Sequence, residues 1–176
     1  MGESIMKNQN GSYLITMLTS DAALTLARFT GVLGRWGCAL ETLVISEDCT
    51  PALNRLTCVF SGNPYQASRI ISQTARLEQV SDLQLVSQSP LGSVSPLRVR
   101  ISCDSLSHAE ACRLCDRHNA LISGRTEREM TIEAESNLKG LALFLNDVAP
   151  YGLLFAEVPN ISYFPLEAEA MVSGAC

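Results

Sequence analysis

Apolar residues along this chain switch between two periods. Residues 13–19 (YLITMLT) form a short apolar run rich in strand formers, which predicts a buried strand. Ser20-Asp21 follows as a helix N-cap signal. Leu26, Phe29, Leu33 and Trp36 then recur at intervals of three and four, which predicts a helix over 22–36 with a core-facing stripe. Gly37 stands where a left-handed C-terminal cap is expected. Residues 39–47 (ALETLVISE) predict a second strand. Beyond a turn at Asp48-Cys49-Thr50-Pro51, residues 53–61 alternate. Leu53, Arg55, Thr57 and Val59 point one way, and Asn54, Leu56, Cys58 and Phe60 the other. Gly62-Asn63-Pro64 breaks the run. A second helix is predicted over 65–75, with Ala67, Ile70, Ile71 and Ala75 on its apolar face, and a fourth strand within 77–86. The order β-α-β-β-α-β is the split βαβ, or ferredoxin-like, pattern.

A similar order returns after 87–96, a stretch rich in Ser, Pro and Gly that reads as a linker. It runs strand (97–102), helix (106–119), short strand (120–123) with Gly124 in the turn, strand (127–134), helix (137–148) and a final extended segment (153–163) broken by Pro159. Leu138, Leu141, Ala142 and Leu145 make the stripe of the last helix. The halves repeat in element order with little residue identity. The fold class expected is therefore α+β, with tandem ferredoxin-like units whose antiparallel four-stranded sheets carry helices on one face. The expected boundaries are 12–87 for the first unit, 88–96 for the linker, 97–166 for the second unit and 167–176 for a fraying tail. Both faces of the first sheet are apolar, through Leu14, Ile15, Met17 and Leu18 and through Leu43, Val44 and Ile45. One of those faces needs cover from a second subunit or a neighbouring domain.

Composition narrows the function. The 176 residues are 47% hydrophobic, enough for a real core and against wholesale disorder. The net charge of −5 argues against a backbone-driven nucleic-acid binder. No apolar run approaches the roughly 20 residues of a membrane helix, and residues 1–11 carry no apolar leader core. A cytoplasmic protein is expected. The seven cysteines are scattered and odd in number, which suits reduced thiols.

His108, Cys112 and Cys115 fall four and seven apart on one predicted helix face and are candidate zinc ligands. The same spacing makes a core stripe beside Ala111 and Leu114. The sequence indicates no fourth ligand, so packing is the simpler reading and no metal site is expected. Cys112 and Cys115 form a Cys-x-x-Cys well inside the helix, away from the helix start that activates such thiols. No Gly-x-Ser-x-Gly turn and no phosphate-binding glycine loop is present. Glu127/Glu129 and Glu133/Glu135 alternate as a solvated strand face would. Gly31 and Gly34, on the first helix, read as close-packing positions. The loop Thr19-Ser20-Asp21-Ala22-Ala23 lacks the arginine and glycines of an acylphosphatase, and it lacks the cysteine pair of a metal chaperone. Phe60 alone is too little for an RNA-recognition surface. A regulatory or binding module remains, with no catalytic residue and no cofactor.

Three segments carry a resemblance: LARFTGVLGRWGCALETLVISED (26–48), PALNRLTCVF (51–60) and SRIISQTARLEQVSDLQLV (68–86). With Leu26, Arg28, Gly31, Leu33, Gly37, Leu40-Glu41-Thr42-Leu43 and Pro51, Leu53, Arg55, Thr57, the first half resembles an ACT domain. More narrowly, it is similar to the regulatory (small) subunit of acetolactate synthase. The second half fits that family in length and element order only. The resemblance implies a noncatalytic homodimer, joined through its ACT domains by the first helix and open sheet. It also implies binding to, and activation of, the thiamine-diphosphate-dependent catalytic subunit in branched-chain amino acid biosynthesis, with feedback inhibition by valine. A valine-like effector would bind where two ACT domains meet. That carries over to Ser20, Asp21, Ala22, Ala23, Leu24 and Thr25 after the first strand and to Cys38, Ala39 and Leu40 at the start of the second.

The family loop resembles Asn-x-x-Gly-x-Leu, and an asparagine opens its second strand. Here the matching positions are Asp21, Leu24, Leu26 and Ala39. Leu24 fills space that the glycine leaves for the ligand, Asp21 opposes an incoming carboxylate, and Ala39 removes an amide. Valine sensing is therefore expected to be weakened or altered. The alternative is a free-standing ACT-like protein that binds an amino acid or another small molecule.

Overall fold

The computed structural model describes residues 10–90, 93–104 and 106–157. Strand β1 (Gly11–Thr19) leads into helix α1 (Ala22–Trp36), and strands β2 (Ala39–Glu47) and β3 (Asn54–Gly62) follow. Helix α2 (Pro64–Thr74) and strand β4 (Val80–Pro90) complete the first set. The second set is β5 (Val94–Ser102), α3 (His108–His118), β6 (Leu121–Arg125), β7 (Glu129–Asn137), α4 (Leu138–Val148) and β8 (Leu153–Glu157), with a 3-10 turn at Ala149–Tyr151. The two four-stranded sheets have equivalent orders, β2-β3-β1-β4 and β6-β7-β5-β8. Every pairing is antiparallel. These are tandem ferredoxin-like units.

Local signals set the helix ends. Asp21 caps α1 through the Leu24 N–H, and Gly37, at φ 66°, closes it in the left-handed region that glycine adopts without strain. Asn63 and Gln66 form a capping box for α2, as Ser107 and Glu110 do for α3. On α1 the buried residues are Thr25, Phe29, Val32 and Leu33. The stripe is thus rotated from the expected one, and Leu26 and Trp36 are half-buried at its margin.

The first sheet is covered on both sides from within the chain. Tyr13, Ile15, Met17, Leu56, Cys58 and Phe60 meet Phe29, Leu33, Ala67 and Ile70 of the α1–α2 layer. Leu14, Val59 and Val86 face the other way and share one core with Leu141, Phe144, Leu145 and Val148 of α4. Helix α4 packs against its own sheet with the same core, so it is apolar over most of its circumference. Of the two covers expected for the open face, the neighbouring unit supplies it, and the homodimer contact expected there is displaced.

Three local expectations change. The supposed linker at 88–96 is largely strand. β4 runs on to Pro90, pairing Ser87, Gln88 and Ser89 with Leu14, Tyr13 and Ser12, and β5 begins at Val94. Backbone pairing carries both ends. Pro90 lies on an edge strand, and Pro96 stands opposite Glu135 of β7, while the described pairing of β5 with β8 runs from Arg98 to Ile101. Gly124 sits in β6 beside a register shift opposite Thr131, and the turn falls at 126–128. Gly31 and Gly34 are exposed, with no atom within 4 Å of where a Cβ would stand, so neither serves packing inside the chain. The tail at 167–176 and the end of the second unit at 158–166 lie outside the described residues.

Candidate functional site

The loop between β1 and α1 is built on hydroxyls. Thr19 and Thr25 are fully buried with their oxygens 2.6 Å apart. Thr19 Oγ1 accepts the Asp21 N–H at 3.1 Å. The Ser20 N–H donates to the Gln79 carbonyl at 3.1 Å, and the Thr25 N–H to the Asp21 carbonyl at 3.0 Å. Asp21 Oδ1 accepts the Leu24 N–H at 2.9 Å. Ala22 and Ala23 open the helix, so their N–H groups have no partner within it. A carboxylate approaching those donors meets the Asp21 carboxylate beside them. The Leu24 side chain projects outward, 37% exposed.

The second candidate segment starts β2. The half-buried Cys38 thiol donates weakly to the Trp36 carbonyl at 3.9 Å, and burial raises its pKa, so it is a poor nucleophile. A Cβ on Gly62 would come within 2.7 Å of Cys38 Sγ, so any larger residue there would force the Cys38 side chain to shift. Ala39 pairs with Ser61 and Leu40 with Phe60, and a bulge follows before Thr42. Ser12 Oγ donates to Glu41 Oε1 at 3.1 Å.

Register separates the two segments within one chain. Ala39 is level with Ser61 and Ser12, whereas Glu47 is level with Asn54 and Thr19. Ala39 and the Asp21 loop therefore lie at opposite ends of the sheet, about 23 Å apart along β1 at the usual strand rise. Strand β2 is an edge of its sheet. Leu40 and Ile45 share the helix-bearing face of that edge and are 37% and 43% exposed.

The cysteine–histidine group separates. Cys112 Sγ lies 3.6 Å from His108 Nε2, but Cys115 turns into the core, where burial raises its pKa. Among the described residues no group of three or more His, Cys, Asp or Glu is placed to hold a metal. Cys58 is buried in the first core and its thiol is pushed up to about 12.

A feature that sequence spacing did not reveal lies where the units meet. A cleft of about 380 Å³ between β2 and the α3–α4 pair is lined by Ser46, Glu110, Arg113, Arg117, Asn146 and Asp147. Asp147 Oδ2 accepts from Arg117 at 3.1 Å and lies 2.8 Å from His118 Nε2. Burial alone would raise the Asp147 pKa, but the bonds to His118 and Arg117 outweigh it and hold the carboxyl below its ordinary value. Glu110, on the same cleft, accepts from the Ser107 N–H and hydroxyl at 3.0 and 2.6 Å.

No family model matches the sequence. Over 142 residues, 81% of this chain, it is 20% identical to "Acetolactate synthase small subunit 1, chloroplastic" of Nicotiana plumbaginifolia, covering 32% of that protein. Over 150 residues, 84% of this chain, it is 23% identical to "Acetolactate synthase small subunit" of Mycolicibacterium smegmatis, covering 87% of that protein. The chain thus spans about a third of the chloroplastic relatives' length. A crystal structure of the small subunit from Thermotoga maritima aligns at 17% identity, covering 82% of this chain and 91% of that one, with a TM-score of 0.40.

Proposed function

We propose that this chain, which is similar to acetolactate synthase small subunits, is a noncatalytic regulatory subunit. As a homodimer it binds the thiamine-diphosphate-dependent catalytic subunit and raises its activity, with valine sensing weakened or altered. The observation that carries this reading is the likeness to the mycobacterial small subunit, which runs over 84% of this chain and 87% of that one and so spans both units. The first unit, whose last strand runs on to Pro90, serves as a sensing unit, and the second, which begins with β5 at Val94, as a supporting unit.

The edge strand β2 suits the homodimer. Among the described residues it has no strand on its outer side, and it presents Leu40 and Ile45 beside α1. Antiparallel pairing of two β2 edges about a twofold axis sets the partner copy's Ala39 beside Glu47. Glu47 is level with Thr19, at the Asp21 end of the sheet. Each dimer then holds two composite pockets, with Ser20 to Thr25 from one copy and Cys38 to Leu40 from the other. Asp21 and Leu24 make each pocket smaller and more negative than an amino-acid carboxylate prefers.

Calorimetric titration of the dimer with valine, alone and in Leu24→Gly with Ala39→Asn, tests the pocket. The expected result is weak or no binding by the natural chain and a gain in the double variant. Ordinary affinity in the natural chain contradicts altered sensing, and no gain in the variant contradicts the pocket. Failure to bind the catalytic subunit contradicts the regulatory role and favours a free-standing binder.

A further inference from the structure

Helices α1 and α2 contain no Asp or Glu. In a chain of net charge −5, these helices instead carry Arg28, Arg35 and Arg69, and the turn after α2 adds Arg76, all exposed. Between the helices runs an open cleft of about 440 Å³ lined by Arg28, Gly31, Val32, Arg35, Arg76 and Leu77, with Gln73 beneath. No carboxylate is among its lining residues. Arg28 Nη1 donates to Gln79 Oε1 at 3.2 Å and Arg69 lies 5.2 Å over the Tyr65 ring, so both guanidiniums are positioned, and neither forms an ion pair with an acid among the described residues.

The glycines give a second, independent observation. Gly31 and Gly34 weaken a helix interior, and nothing in the chain approaches the space their missing side chains leave. Gly31 lies in the cleft between Arg28 and Arg35. Such a flat, backbone-level floor permits close approach from outside.

We propose that the α1–α2 cleft is the docking surface for an acidic segment of a protein partner, whose carboxylates meet Arg28, Arg35 and Arg76 while an apolar side chain rests on Gly31, Val32 and Leu77. Arg28 and Arg35 stand two helical turns apart, about 10 Å along the axis, and Arg76 is in the turn that follows α2. That arrangement fits an extended segment and would not converge on one small anion. The backbone N–H groups of mid-helix glycines are used within the helix, so no nest for a phosphate is present. Assigning this partner as the synthase catalytic subunit rests on the function proposed above; the surface itself does not.

The test titrates the full chain with a labelled synthetic peptide of alternating glutamate and leucine, and separately with the catalytic subunit. Combined Arg28→Glu, Arg35→Glu and Arg76→Glu should weaken peptide binding about tenfold or more, and binding by the natural chain should weaken as salt rises. The matching reversal of Arg113, Arg117 and Arg125 should leave peptide affinity within about twofold. Gly31→Gln, whose Cβ would have no described atom within 4 Å, should raise Tm yet weaken peptide binding. Circular dichroism checks the fold of each variant, and light scattering its dimer. No peptide binding at low salt, equal loss in both reversals, or loss of the dimer in the first would overturn the docking surface. Peptide binding through these arginines without any binding of the catalytic subunit keeps the surface and rejects the synthase as its partner. Binding of the catalytic subunit that survives the triple reversal, with peptide binding equally unaffected, rejects the surface and keeps the regulatory role.

Discussion

Arg55 and Asp48 form an ion pair of 3.0 Å that is almost wholly withdrawn from solvent, with side chains 7% and 2% exposed. Arg55 also donates to Thr16 Oγ1 at 3.3 Å, and Thr50 donates its N–H to Asp48 Oδ2 at 3.0 Å. One guanidinium thus ties β3 to β1 and to the turn between β2 and β3. Removing one partner leaves the other buried and unpaired. Arg55→Ala should lower the unfolding free energy by about 3 kcal/mol or more, read from denaturant midpoints. A loss below about 1 kcal/mol would show that the pair behaves as a surface one. Changing both residues together should cost less than the sum of the single changes, because the second change removes the orphaned charge.

Stability should fall in acid for a specific reason. Burial pushes the Asp48 carboxyl up, but the Thr50 and Arg55 contacts outweigh it and hold its pKa below the ordinary value, as His118 and Arg117 do for Asp147. A pKa that is lower in the folded chain than in the unfolded one adds stability above the unfolded value, near about 3.9. That stability is lost as pH falls through the folded value. Urea midpoints should therefore hold steady from neutrality to about pH 5 and drop below about pH 4. Asp48→Asn should be less stable at neutrality and show a shallower drop. An unchanged acid slope in that variant would contradict the assignment.

Helix α4 couples the two units. Phe144 is fully buried in a core that also includes Leu14, Val59 and Val86 of the first sheet and Met130 and Ile132 of the second. Phe144→Ala should cost about 3 to 5 kcal/mol. Its unfolding should remain a single transition at lower temperature, because both sheets lose the same support. Two separate transitions in the natural chain, with only the second moved by the change, would contradict a shared core.

The clearest parts of the fold in the sequence were those fixed by local chemistry. Asp21 and Gly37 bound α1 at the ends where a cap and a left-handed residue were expected. The alternation of β3 divides its residues between the two covers, Leu56, Cys58 and Phe60 toward α1–α2 and Val59 toward α4. Composition misled at Ser87 to Pro90, because serines that look like a linker are held in the ladder by backbone bonds to β1. Apolar content on both faces of β1 signalled a second cover. Only packing shows that α4, apolar around most of its surface, provides it. The candidate effector segments were placed by likeness, yet register sets them at opposite ends of the sheet, a separation that no single-chain pattern reports. The arginine cleft escaped because its parts belong to two helices and the turn after the second, whose exposed faces look merely solvated.

The regulatory role is tested most directly by acetolactate formation by the same organism's catalytic subunit, measured with and without this chain across a valine titration. Activation on addition of the chain, with little or no inhibition as valine rises, is the expected result. No activation of a catalytic subunit shown to be competent would contradict the regulatory role, and activation with ordinary valine inhibition would contradict the altered sensor at Asp21, Leu24 and Ala39.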